Sequence, residues 1–144
     1  MTPAQELQHI REGAGGAAPP GEIDTLEAAG GAATLARTRE VLEAVVRRSA
    51  AGGDWPATGE WRTLLPAWFT GACVDDAEVK DCVLDRWSLR AWTYWFQPDV
   101  RRWRWWDASV QDDRVIVRLL VLDRPYLRGA LEWLLKVAGD VRVG

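Results

Sequence analysis

The chain has 144 residues, a formal net charge of −3, 27% charged residues and 48% apolar ones. That balance describes one globular domain, large enough to bury a core without a metal or disulfide staple, and it excludes a disordered chain. It also excludes a membrane-spanning helix, since no apolar run approaches ~20 residues, and it supplies no overall attraction to nucleic acid or anionic lipid.

The first predicted element is a short helix opened by a Thr2-x-x-Gln5 capping box, with Pro3 in its first turn and Gly13 at its end. Leu7 and Ile10 form its apolar face, which leaves His9 exposed on the other side. Residues 13–21 (GAGGAAPPG) read as a flexible link, followed by a single turn capped by Asp24 or Thr25 and stopped at Gly30-Gly31. Leu35, Thr38, Leu42, Val45 and Val46 predict a strong amphipathic helix over about 35–50, closed by Gly52-Gly53. Residues 54–60 (DWPATGE) form a turn-rich connection. Trp61, Leu64, Leu65 and Trp68 keep helical spacing, yet Pro66 splits them into two short pieces. Asp75-x-x-Glu78 then caps a short helix within the acidic stretch 75–85.

From Arg86 onward the pattern favours strands. The aromatic stretch 87–96 is read as a first strand, with 102–110 and 114–122 completing a three-stranded antiparallel meander. A tight turn at Asp112-Asp113 sets Gln111 opposite Arg114, Val110 opposite Val115, Asp107 opposite Arg118 and Trp106 opposite Leu119. A closing helix runs from Pro125 to about Ala138, with Asp123 as its cap and Gly139 as its stop; Gly129 inside it implies close backbone approach. The expected architecture is one α+β domain.

Ten tryptophans are the loudest signal. Filling the core would occupy them all, because each buries about 150–250 Å². Strand alternation argues otherwise: it places Trp106 with Val115, Val117 and Leu119 on the core face and turns Trp103 and Trp105 to the opposite face. Trp92 and Trp95 divide in the same way across the first strand. An exposed aromatic face is a recognition surface, since large apolar patches are rare on monomers. The expected binding residues are therefore Trp92, Trp95, Arg102, Trp103, Arg104 and Trp105.

No catalytic, cofactor or metal motif emerges. Asp75, Asp76, Glu78, Asp81 and Asp85 lack the glycine-punctuated spacing of a calcium loop and read as a solvated face. Cys73 and Cys82 lack zinc-site spacing and read as inert buried thiols. The Arg101–Trp106 run mixes cations with rings as single-strand binders do, but Asp99 and Asp107 flank it, so nucleic acid is not the expected partner. An opening stretch without an export signature and the two cysteines point to the cytoplasm. The arginine-over-lysine bias resembles GC-rich bacterial coding. The expected function is a small protein-interaction module, of inhibitor or immunity type, that binds a protein partner. The alternatives are a small-molecule or carbohydrate pocket walled by Trp92, Trp95, Trp103 and Trp105, and a small enzyme using Asp or Cys chemistry.

Overall fold

The computed structural model describes residues 1–74 and 86–140. In chain order the elements are α1 (Pro3–Glu12), β1 (Ile23–Ala29), α2 (Ala32–Ala51), α3 (Thr58–Leu64), α4 (Ala67–Thr70), α5 (Leu89–Tyr94), β2 (Trp103–Gln111), β3 (Arg114–Val121) and α6 (Gly129–Asp140). The strands form one antiparallel sheet in the order β1-β3-β2. The expected α+β fold, with a three-stranded sheet and a C-terminal helix, is what the chain adopts. The short helix expected within 75–85 lies outside the described residues.

One strand comes from a different segment. Residues 87–96 are not a strand, because Ser88 accepts the Ala91 N–H at 3.1 Å and starts α5. Leu89, Trp92, Thr93 and Phe96 then recur at helical spacing and are all buried. The third strand is Ile23–Ala29, where a single capped turn was expected. It pairs with β3 from Ile23↔Leu120 to Ala29↔Arg114, so β3 is central and the sheet is not a sequential meander. At the exit of β1, Gly30 has φ +146°, and a Cβ there would lie 2.4 Å from Thr34 Oγ1; only glycine fits between strand and α2.

The hairpin follows the expected register from Gln111↔Arg114 to Asp107↔Arg118. Beyond Asp107 a β-bulge inserts Trp106, so Trp105 rather than Trp106 stands opposite Leu119, and Trp103 faces Val121.

The closing helix begins four residues later than expected. Arg124 is tied to Glu22 and Asp24, and the Tyr126 hydroxyl donates to Asp24, which fastens residues 124–126 to the start of β1. Asp123 accepts the Arg124 N–H instead of capping α6, and Leu127 lies exposed before the helix. Gly129 opens the helix, and a Cβ on it would meet Trp87 at 3.7 Å, an ordinary contact and not a close backbone approach. Gly139 lies within the last turn and does not stop it.

The core joins α2 (Leu35, Val41, Leu42, Val45, Val46) and α6 (Leu131, Leu134, Leu135) to Leu26, Val115, Val117 and Leu119 of the sheet. The opposite sheet face sets ion pairs among the apolar Ile23, Ile116 and Leu120. There Arg118 pairs with Asp107, and Arg114 lies 3.7 Å from Glu27.

Candidate functional site

The bulge decides where the strand tryptophans go. With one extra residue in β2, Trp103 and Trp105 share the core side and are 3% and 0% exposed. Trp106 is displaced toward α1, where its ring lies 4.5 Å from that of His9 and its carbonyl meets His9 Nδ1 at 2.8 Å. His9, expected to be exposed, is half-buried by this contact. Trp92 is fully buried, stacks on Phe96 at 4.1 Å and donates its indole N–H to the Ala130 carbonyl at 3.0 Å. Three of the four expected indoles therefore stand in the core: Trp103 and Trp105 because the strand is broken by the bulge, and Trp92 because its segment is the helix α5.

The arginines of the same run separate as well. Arg101 is buried and forms a bidentate pair with the buried Glu6 of α1, both N–O distances being 2.6 Å. Glu6 also accepts the Trp105 N–H at 2.8 Å, capping the edge strand β2 beside the bulge. The Arg101 guanidinium lies 4.8 Å over the Trp103 ring. Arg104 is half-buried and donates to the Arg101 and Trp103 carbonyls at 2.8 and 2.9 Å. Burial lowers its pKa, the neighbouring Arg101 lowers it further, and Glu6 opposes both. Arg102 alone reaches solvent, 3.8 Å from Asp123. Glu6, Arg101 and Arg104 thus form an ionic joint between α1 and the sheet.

Of the expected residues, Trp95 lines an open hollow. This groove, of about 550 Å³, lies between the Trp55–Thr58 connection and α5, with Trp55, Tyr94 and Trp95 among its walls and Arg90 and Gln97 beside them. Trp55 is half-buried and braced by Trp61, ring to ring at 5.0 Å. Tyr94 is 51% exposed and meets Trp95 nearly edge to face at 5.4 Å. The local cause is the amphipathicity of α5: the stripe Leu89-Trp92-Thr93-Phe96 faces inward, which turns Arg90 and Tyr94, four residues apart, outward together. The same reading of the sequence, made in a helical frame, would have found this face.

A nucleophilic role for Cys73 has little chemical support, since burial pushes its thiol up to about 12. Among the described residues, no group of three or more His, Cys, Asp or Glu side chains is placed to hold a metal ion, and no helix is long and apolar enough to cross a membrane. Comparison of the chain with family profiles, with characterised proteins and with solved structures gives no match.

Proposed function

We propose that the protein is a small interaction module of the cytoplasm that grips a segment of a protein partner in the groove walled by Trp55, Tyr94 and Trp95. One observation carries this reading: three aromatic side chains and an arginine surround a wide-mouthed hollow of about 550 Å³. Tryptophan, tyrosine and arginine dominate binding energy at protein interfaces, because large rigid rings desolvate well and guanidinium forks bond in several directions. An open groove suits a chain segment better than the enclosed pocket a small ligand prefers. The four-tryptophan pocket considered as an alternative has three of its walls in the core, so it gives no second reading here. The cytoplasmic assignment leans on Cys73, a half-buried thiol suited to a reducing compartment.

The test is site-specific photo-crosslinking in the native host. Benzoylphenylalanine in place of Tyr94 is expected to trap a discrete protein species, and the same group in place of Arg114, on the sheet face away from the core, is expected to trap none. Trapping from position 114 with nothing from position 94 would overturn the assignment.

A further inference from the structure

Resting on the groove reading above, we infer that the segment this protein binds is bipolar: a carboxylate at one end, a basic side chain at the other and apolar residues between. A second hollow, of about 400 Å³, adjoins the first and shares Trp55 and Gln97 with it. Taken together across Trp55 and Gln97, the two make up the proposed trough.

Charge is divided between the ends. Among the described residues, Arg90 is the one charged residue lining the first hollow. Asp54 and Asp99 line the second together with Arg48. Arg48 donates to the backbone carbonyls of Asp54, at 2.6 Å, and Gly52, so its charge offsets one of the two carboxylates and leaves this end net negative. Among the described residues, Arg90, Asp54 and Asp99 have no ion-pair partner. One end of the trough therefore favours an anion and the other a cation, with an aromatic floor between them. Such an arrangement selects partner and register, since a like charge at either end is repelled. The partner is a protein segment in extended form, whose alternate side chains reach successive hollows.

The experiment uses the full-length ¹⁵N-labelled protein and three blocked tetrapeptides: Ac-Asp-Leu-Leu-Lys-NH₂, its reverse Ac-Lys-Leu-Leu-Asp-NH₂, and the neutral Ac-Asn-Leu-Leu-Gln-NH₂. The Trp95 indole and Gln97 side-chain resonances report on the trough. One charged peptide is expected to bind about tenfold more tightly than the neutral one, and Arg90→Glu is expected to abolish that preference. Equal binding of charged and neutral peptides overturns the bipolar assignment but leaves the groove as a binding surface. A preference that survives in Arg90→Glu overturns it as well. Failure of all three peptides to move either resonance overturns both the bipolar assignment and the groove reading.

Discussion

Arg101 and Arg90 carry the same guanidinium into opposite surroundings. Arg101 is sealed beneath α1, where Glu6 neutralises it, and removing that carboxylate would leave one buried and one half-buried cation without a counter-charge. Breaking one side of a buried pair costs about 3–5 kcal/mol, whereas exposed pairs contribute ~0–1. Urea unfolding of Glu6→Gln should therefore show a loss in the larger range, and Arg102→Gln should change little; a loss below about 1 kcal/mol for Glu6→Gln would show that α1 is held by packing alone. Asp24 offers a pH test at the same scale. The Tyr126 hydroxyl, helped by Arg124, holds its carboxyl below the ordinary value of 3.8. A depressed carboxylate adds stability above its unfolded pKa and loses it as pH falls through the folded one. The melting temperatures of the wild type and Tyr126→Phe should accordingly differ near about pH 6 and converge near about pH 2; a gap that stays constant across this range would remove the proposed hydrogen bond.

Local signals set several elements without ambiguity. The Thr2/Gln5 capping box forms as the residues suggest, with Thr2 N–H to Gln5 Oε1 at 2.8 Å, and Pro66 divides α3 from α4. The hairpin register was legible as far as Asp107 because a two-residue turn fixes it. It failed beyond that point because Trp103-Arg104-Trp105-Trp106 is apolar at positions of both parities, so alternation alone cannot tell which tryptophan is the extra residue. β1 was missed because an edge strand with one buried residue, Leu26, carries a weak pattern, and its partner β3 lies far along the chain. In α5 the helical stripe competed with the strand preference of aromatic residues, and tertiary packing on Phe69 and Phe96 decided for the helix. Of the expected binding residues, Arg102 is exposed and Trp95 half-buried, while Trp92, Trp103 and Trp105 are buried. The hairpin turn also gives a prediction. Asp112 and Asp113 sit at φ 50° and 60°, in the left-handed region that favours glycine. Asp113→Gly should raise stability by about 0.5–1 kcal/mol without moving the register, read as a higher midpoint in chemical denaturation; a lower midpoint would mean that the Asp113 side chain contributes more than its backbone strain costs.

At the scale of the whole molecule, the tryptophans fall into two populations made by different devices. The bulge and the ionic joint under α1 draw Trp103, Trp105 and Trp106 out of solvent, and the aromatic chain Phe69–Trp92–Phe96–Trp103 ties α4 and α5 to β2. The outward face of α5 and the Trp55 connection leave a second, smaller aromatic set at the surface, with opposite charges at its ends. The proposed recognition surface is that second set alone, so accessibility residue by residue is the decisive quantity. Hydroxyl-radical footprinting with mass-spectrometric readout measures it directly. Tyr94 should oxidise fastest, Trp55 and Trp95 more slowly, and Trp61, Trp92, Trp103 and Trp105 should be protected until the protein unfolds. Oxidation of Trp103 and Trp105 at the rate of Tyr94 would place the aromatic surface back on the sheet and contradict the account.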